Sequence, residues 1–307
     1  MECLVREIEE LKRAKNAVIL AHYYTKAEIQ DVADFTGDSL ALSVEAAKTS
    51  ADVIVFAGVH FMAETAKLLS PDKTVLIPDP EAGCSLADSC KAHDLAEFLK
   101  DYPDHVVVSY VNTTVGVKAL TDITCTSSNA IKVINSVPKD KGIVFAPDRN
   151  LGNYIKNITG RENMVVWDGA CHVHEEFSVE KILELKKEYP QAKVLVHPEC
   201  KQVVQLTADV VGSTADLLKY ATENEADTYI VVTEPGIIHK MQSQNPSKKF
   251  IAAPPIDSTC GCNDCSYMKM VSLEKILSCL KNLEPAIEIE KEIADKARGS
   301  IVNMLNI

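Results

Sequence analysis

The sequence repeats one pattern three times, and this triplication limits the possible folds more than any other feature. Polar residues recur at offsets of 88 and then 87 positions, as His22, Tyr110 and His197 do. Two further sets keep the same offsets, namely Tyr24, Asn112 and Glu199, and Ser39, Ser127 and Thr214. Self-similarity at a fixed period indicates repeated structural units. We therefore predict a chain of three similar units.

Each unit contains apolar runs that alternate with amphipathic helical segments. The apolar runs are predicted to be strands at residues 17–21, 53–56, 75–77, 106–111, 143–145, 164–166, 194–196, 229–232 and 250–253. Strands joined by helices form parallel sheets with right-handed crossovers. The predicted fold class is therefore α/β, with three three-layer α/β/α units related by a pseudo-threefold axis.

The repeat also sets the predicted boundaries of the units. The units are expected at residues 17–104, 105–191 and 192–271, with terminal helices in residues 1–16 and 272–307 that pack on them. A unit of this size buries little surface alone, so the three units are expected to pack closely. We expect the active site at their common interface.

The recurring polar residues are predicted to lie where the first strand of each unit ends. In open α/β sheets, ligands bind beyond the carboxyl ends of the strands. Ser39, Ser127 and Thr214 each precede a helical run and are predicted to be helix N-caps. Free backbone N–H groups and the helix dipole favour anions there. Three converging N-caps predict a site for carboxylates or phosphate, whereas a single one would indicate only a capped helix.

One cysteine recurs in each unit. Cys84 and Cys171 are 87 residues apart, and Cys171 and Cys265 are 94 apart, which exceeds the repeat by seven. The excess fits a short insertion that contains Cys260 and Cys262. We predict that these two cysteines are dispensable for binding an iron–sulfur cluster. Three thiolates on one axis suit an iron–sulfur cluster with one iron that lacks a protein ligand. Such an open metal position can act as a Lewis acid.

A zinc site is the alternative interpretation of the cysteines. Cys262 and Cys265, together with Cys171 and His174, could form a four-coordinate structural site. This set explains neither Cys84 nor the threefold spacing, so we favour the cluster. Ten cysteines in a chain whose N-terminus has no apolar signal segment predict reduced thiols and a cytoplasmic protein.

Composition argues against several other classes of function. The formal net charge is -12 and the basic residues form no stripe, so nucleic-acid binding is not expected. The longest apolar run is far shorter than the roughly 20 residues of a membrane-spanning helix, so no membrane association is expected. Neither GxGxxG nor GxxxxGKS/T occurs, and a standard dinucleotide or Walker phosphate loop is therefore not predicted.

Nine short motifs resemble those of the quinolinate synthase family, in order and over nearly the whole chain. They are AHYY at 21–24, GDSL at 37–40, HFMAE at 60–64, YVNTT at 110–114, CTSSNA at 125–130, APDRNLG at 146–152, HPEC at 197–200, VGST at 211–214 and CSYMK at 265–269. The resemblance implies a triangular assembly of three related domains around a [4Fe-4S] cluster held by three cysteines. It also implies condensation of iminoaspartate (iminosuccinate) with dihydroxyacetone phosphate to quinolinate, phosphate and water in NAD biosynthesis. The resemblance further implies a functional link to an aspartate oxidase or dehydrogenase that produces iminoaspartate.

The resemblance also implies roles for individual residues. The cluster ligands are matched by Cys84, Cys171 and Cys265, and a catalytic tyrosine by Tyr24. Glu199, Tyr24 and His197 are the candidates for acid–base catalysis. The substrate-binding residues are matched by His22, Ser39, Tyr110, Asn112, Ser127, His174, His197, Glu199 and Thr214. Glu234, like His174, falls in a neighbouring active-site segment.

Two other functions stay open at this stage. A different [4Fe-4S] hydro-lyase that acts on a dicarboxylic acid would use the same open iron and anion sites. A non-catalytic iron–sulfur or zinc redox sensor would explain the extra pair Cys260 and Cys262. A sensor has no need for polar triads at strand ends, which argues against it.

Overall fold

Three parallel sheets of four strands each form the framework of the chain. The computed structural model describes residues 2–257 and 263–307. The strands are β1 Ala17–His22, β2 Phe35–Gly37, β3 Val53–Ala57, β4 Thr74–Leu76, β5 Val106–Tyr110, β6 Ile123–Cys125, β7 Ile143–Ala146, β8 Met164–Val166, β9 Lys193–Val196, β10 Val210–Val211, β11 Thr228–Val232 and β12 Lys249–Ala252. The sheet orders are β2-β1-β3-β4, β6-β5-β7-β8 and β10-β9-β11-β12, which is one topology used three times. The prediction of three α/β units with parallel sheets is confirmed.

The nine predicted strands are all present, and each sheet has one further strand. The additional strands are β2, β6 and β10, which contain two or three residues each and lie at one edge of their sheets. A strand of this length shows no readable alternation of apolar and polar residues, so sequence patterns do not reveal it. The predicted unit boundaries themselves stay a prediction.

An aspartate at the same place in each unit ties the start of the edge strand to the central strand. Asp34, Asp122 and Asp209 are spaced by 88 and 87 residues. The Oδ2 atom of each accepts a backbone N–H from the first strand of its unit, at 2.8, 2.8 and 2.9 Å respectively. Residues that are equivalent by the sequence offset therefore make the same hydrogen bond in all three units.

A long polar side chain fixes the loop that follows the first strand of each unit. Gln30, Lys118 and Gln205, again spaced by 88 and 87 residues, each donate to two carbonyl groups of this loop. The acceptors are the carbonyls of Tyr23 and Thr25, of Val111 and Thr113, and of Pro198 and Cys200. The loops that carry the predicted site residues are therefore held rigidly against the sheets.

Helices cover the sheets. They are α1 Glu2–Ala14, α2 Ala27–Val32, α3 Ser39–Lys48, α4 His60–Leu69, α5 Ser85–Asp88, α6 Ala92–Leu99, α7 Val115–Lys118, α8 Ala130–Ser136, α9 Arg149–Thr159, α10 His172–Glu175, α11 Val179–Glu188, α12 Gln202–Gln205, α13 Thr214–Glu223, α14 Ile237–Gln244, α15 Leu273–Asn282 and α16 Lys291–Leu305. Helix α1 packs on α15 beside the first sheet, and α16 packs against α4, α7 and β6. Among the described residues, no helix is both long and apolar enough to cross a bilayer.

The units share their hydrophobic cores. One buried cluster joins Leu20 and Phe56 of the first sheet to Val108 and Phe145 of the second. Another places Tyr23, from the first unit, among buried residues of the third unit. Burial of apolar side chains across these boundaries fixes the three sheets relative to one another, so their carboxyl ends can build one site.

Candidate active site at the centre of the three units

One cavity collects loops from the carboxyl ends of all three sheets. Its empty volume is about 710 Å³, which includes space open to solvent. Every residue that the sequence predicted for the site lines it: His22, Tyr24, Ser39, Cys84, Tyr110, Asn112, Ser127, Cys171, His174, His197, Glu199, Thr214, Glu234 and Cys265. The structure thus brings these side chains together, while the role of each remains a prediction.

The predicted N-cap positions are wrong by one residue in two units. Ser39 and Thr214 are the first residues of α3 and α13, and the N-caps are Asp38 and Ser213. Each of these caps accepts a backbone N–H from the third residue after it. The motifs GDSL and VGST place two residues suited to capping side by side, and the first of them takes the cap. The second residue then lies in the first helical turn, where it lines the cavity.

Ser127 is likewise not an N-cap. It lies in the turn before α8, whose N-cap residue is Asn129. The next residue, Ser128, donates from Oγ to Oδ2 of Asp38 at 2.5 Å, which joins the turn of the second unit to the cap of the first. The three hydroxyl residues still converge on the cavity, two from helix first turns and one from this turn.

Glu199 is the centre of a buried polar network. Its Oε1 accepts the Tyr110 hydroxyl at 2.6 Å, and its Oε2 lies 3.2 Å from Nδ1 of His174. Burial acts to raise the pKa of Glu199, but His174, His197 and the Tyr110 hydrogen bond outweigh it and lower the pKa to about 2. Burial and the Glu199 charge raise the pKa of Tyr110 well above its usual value. Glu199 is therefore an ionised carboxylate at neutral pH, with a protonated phenol beside it.

His22 and His197 occupy equivalent positions and have equivalent bonds. The Nδ1 atom of His22 accepts the backbone N–H of Tyr24 at 3.2 Å, and Nδ1 of His197 accepts that of Glu199 at 3.3 Å. Burial lowers the pKa of each histidine to about 3. Because Nδ1 is the acceptor and the ring is neutral, the proton lies on Nε2 in both. Each histidine can therefore donate one hydrogen bond without carrying charge.

A chain of hydrogen bonds connects Tyr24 to Glu199. The Tyr24 hydroxyl lies 2.8 Å from the hydroxyls of Thr214 and Thr233, and Thr233 lies 2.9 Å from Nε2 of His174. Burial raises the pKa of Tyr24 well above its usual value, so its proton stays on the phenol. Thr233 is fully buried. It belongs to no repeated set, so the repeat spacing did not predict it for the site. No sequence signal distinguishes it from other threonines at strand ends.

The three recurring cysteines face one another across the cavity. Burial raises the pKa of Cys84 to about 12, that of Cys265 to about 11 and that of Cys171 well above its usual value. Charge on Cys265 contributes to the rise for Cys84, and both of these thiols contribute to the rise for Cys171. Thiols in such a site lose their protons to a metal centre rather than to water. One soft ligand from each unit, in a desolvated pocket, fits an iron–sulfur cluster.

A second group of possible metal ligands overlaps the first. Ligand atoms of Cys171, His174 and Glu199 lie within 4.8 Å of one another. The four-residue zinc set considered from the sequence includes Cys262, which lies outside the described residues, as does Cys260. The prediction that these two cysteines are dispensable therefore stands as a prediction.

Comparison with known proteins gives one consistent family. The family model described as quinolinate synthetase A protein matches residues 6–306. A quinolinate synthase from Thermosynechococcus vestitus is 56% identical over 304 residues, which cover 99% of this chain and 95% of that protein. The quinolinate synthase of Microcystis aeruginosa is 55% identical, with the same coverage of both chains. That of Synechocystis is 54% identical over 302 residues, covering 98% and 94%.

Proposed function

Since the chain belongs to the quinolinate synthase family, we propose that it condenses iminoaspartate with dihydroxyacetone phosphate to give quinolinate, phosphate and water. The observation that carries the proposal is the central cavity. It combines one thiol from each unit with an ionised carboxylate, two neutral histidines and three hydroxyl residues. We place this reaction in the cytoplasm, and an aspartate oxidase or dehydrogenase is expected to supply the iminoaspartate.

The three thiols are proposed to hold a [4Fe-4S] cluster. Cys84, Cys171 and Cys265 would ligate three of its irons, and they all line the cavity. The fourth iron of such a cluster supplies a Lewis acid for a substrate hydroxyl or carbonyl oxygen. The convergence of one thiol from each unit on a single cavity supports this assignment.

Substrate carboxylates and phosphate need donors, since Glu199 already brings negative charge to the cavity. Ser39 and Thr214 open helices of ten residues each, so unpaired backbone N–H groups accompany their hydroxyls. His22 and His197 add neutral Nε2–H donors. We propose that these groups orient the two substrates without any lysine cluster.

Asn112 offers a ready acceptor to the substrate. Its Oδ1 is buried and has no hydrogen-bond partner among the described residues. A buried acceptor without a partner is costly, about 1–3 kcal/mol, unless a ligand satisfies it. The imine N–H of iminoaspartate or a hydroxyl of the triose phosphate fits this position.

The condensation and the dehydrations require proton transfers at carbons next to carbonyl groups. We assign the base to the Glu199 carboxylate, which is ionised at neutral pH. Tyr24 and Tyr110 keep their protons and act as donors. Thr233 and His174 link Tyr24 to Glu199, so a proton removed on one side of the cavity can be returned from the other.

An anaerobic assay tests the proposal. Protein purified without oxygen is expected to contain about four irons per chain and to form quinolinate from iminoaspartate and dihydroxyacetone phosphate. Cys84→Ala, Cys171→Ala and Cys265→Ala should each lose the cluster and the activity. Cys200→Ala is the matched control, because Cys200 is buried but does not line the cavity.

Two outcomes of this assay would contradict the proposed function. A colourless, zinc-loaded protein that forms no quinolinate would overturn the proposal. Dehydration of a four-carbon dicarboxylic acid in place of quinolinate formation would assign the site to a hydro-lyase.

A further inference from the structure

The loop after the third strand of each sheet contains one position at which the units differ in charge. Strand register aligns the units, because Leu20 pairs with Phe56, Val108 with Phe145 and Leu195 with Val231. Three residues after each of these partners stand Val59, Asp148 and Glu234. The second and third units thus place a buried acidic residue where the first unit has valine.

Glu234 is directed at the loop that carries Cys265. Its Oε1 accepts the backbone N–H of Cys265 at 3.3 Å and lies 2.6 Å from Nζ of Lys269. Its Oε2 accepts the backbone N–H of Gly236 at 2.7 Å. Lys269 also donates to the carbonyl of Tyr24 at 2.7 Å. This carboxyl group therefore anchors both ends of the segment from Cys265 to Lys269.

Asp148 has the corresponding relation to Cys171. Its Oδ1 accepts the backbone N–H of Leu151 at 2.8 Å, which caps α9. The backbone N–H groups of Cys171 and Asn150, with that of Leu151, oppose the rise that burial causes in the pKa of Asp148. Main-chain bonds of 3.1 and 2.8 Å join Gly169 to the residues on either side of Asp148. The aspartate is thus held directly beside the cysteine loop.

Helix capping does not account for these two acidic residues. The Oδ2 of Asp148 is buried and has no hydrogen-bond partner among the described residues, although one oxygen suffices for the cap. Glu234 caps nothing, since α14 has Gly236 as its N-cap residue and no side-chain cap. Buried carboxyl groups are costly, so their presence in two units indicates a further use.

We propose that Asp148 and Glu234 are positioning residues for two of the three cluster ligands. Asp148 supports the loop that carries Cys171, and Glu234 holds the backbone N–H of Cys265, whereas Val59 gives Cys84 no equivalent hold. The inference rests on the proposed cluster function. Partners that orient metal ligands typically affect metal affinity or activity by about 10–100-fold when they are removed.

Two substitutions test the inference. Asp148→Ser keeps a good N-cap for α9 but removes the second carboxyl oxygen, which is buried and has no hydrogen-bond partner among the described residues. Glu234→Val installs the residue of the first unit and removes the carboxyl group that accepts the backbone N–H groups of Cys265 and Gly236. Both variants are expected to lose cluster to an iron chelator about 10–100-fold faster than the unsubstituted enzyme. Both should also change the electron paramagnetic resonance spectrum and the reduction potential of the cluster.

Matched controls come from the aspartates that hold the first strands. Asp122→Ser in the second unit removes one bond to a backbone N–H, that of Val107. Asp209→Val in the third unit removes a backbone bond and the ion pair with Lys193. Neither residue lines the cavity. Both controls should retain the cluster, its spectrum and its potential, even where they lower the melting temperature.

Each pair of variant and control decides by itself, so failure of one variant to fold leaves the other as the test. Chelation rates, spectra and potentials equal to those of the controls would overturn the inference. An unsubstituted protein with no cluster and no quinolinate formation would instead overturn the proposed function. The two failures are therefore distinguishable.

Discussion

Replacing Thr233 by valine should show whether the hydrogen-bond chain between Tyr24 and Glu199 takes part in the reaction. The Thr233 hydroxyl lies 2.8 Å from Tyr24 Oη and 2.9 Å from Nε2 of His174, and the side chain is fully buried. Tyr24 keeps its second partner, Thr214, at 2.8 Å, but Nε2 of His174 loses the one found among the described residues. The variant has nearly the same shape, so the change is confined to this junction.

The expected loss of stability is the cost of leaving Nε2 of His174 without a hydrogen-bond partner. A buried polar group without its partner costs about 1–3 kcal/mol, and the free energy of unfolding should fall by that amount. If the hydrogen-bond chain from Tyr24 to Glu199 carries a proton during turnover, the activation free energy of the reaction should rise by the same amount. At about 1.4 kcal/mol for each factor of ten, kcat should fall about 10–100-fold with little change in KM.

The assay is steady-state quinolinate formation by anaerobic enzyme, with iron content and chemical denaturation measured on the same samples. Thr124→Val is the matched control, because the Thr124 hydroxyl is also fully buried and donates to Ser300 at 2.9 Å, away from the cavity. The control should lose stability and keep its kcat. A Thr233→Val enzyme with full iron content and unchanged kcat would refute the relay.

Three further substitutions separate binding, acid–base chemistry and stability. Tyr110→Phe removes the 2.6 Å hydrogen bond to Glu199, and such a bond to a charged acceptor is worth about 1.5–3 kcal/mol. We therefore expect kcat to fall about 10–100-fold and the pKa of Glu199 to rise, and the acidic limb of a pH–rate profile reports that rise. Asn112→Leu removes an acceptor with no partner among the described residues, so KM should rise with little loss of stability; unchanged KM in steady-state kinetics would contradict a contact with substrate. Burial lowers the pKa of Lys118 to about 8 from 10.5, so between these pH values the unfolded chain binds more protons at Lys118 and the contribution of this residue to stability rises with pH. Lys118→Gln, the residue type at the equivalent positions Gln30 and Gln205, removes this contribution, so its stability relative to the unsubstituted protein should fall as pH rises through this window in denaturation curves, and a difference that does not change with pH would contradict the assignment.

The repeat offset predicted the fold and the three sets of polar residues that line the cavity, because side chains at equivalent strand ends must converge once three similar units pack around an axis. It failed where local chemistry departs from the repeat. Capping went to Asp38 and Ser213 rather than to their neighbours, since cap geometry depends on backbone angles that spacing does not encode. Thr233 has glycine and proline at the equivalent positions 58 and 147, so no comparison of repeats could have selected it.

The repeat offsets did not predict that Asp148 and Glu234 occupy equivalent positions, for a different reason. Offsets of 88 and 87 align Asp148 with His60 and Pro235. Strand register instead aligns it with Val59 and Glu234, because the connection before the third strand differs by one residue between units. A single inserted residue changes the alignment of a loop without changing the sheet, and only the structure reveals it.

The triplicated scaffold explains how a nearly symmetric assembly can carry out an asymmetric reaction. At the second repeated position of each strand-end loop, the three units supply a phenol in Tyr24, an amide in Asn112 and a carboxylate in Glu199. Their protonation differs as well, since the pKa of Tyr24 is raised by burial while that of Glu199 is lowered to about 2 by its histidine neighbours. Three identical residues would offer the same chemistry on every side of the cavity. A condensation that removes a proton at one carbon and returns it to a leaving oxygen needs a base, a neutral partner and an acid on different sides of one cavity, and divergence at equivalent positions supplies them.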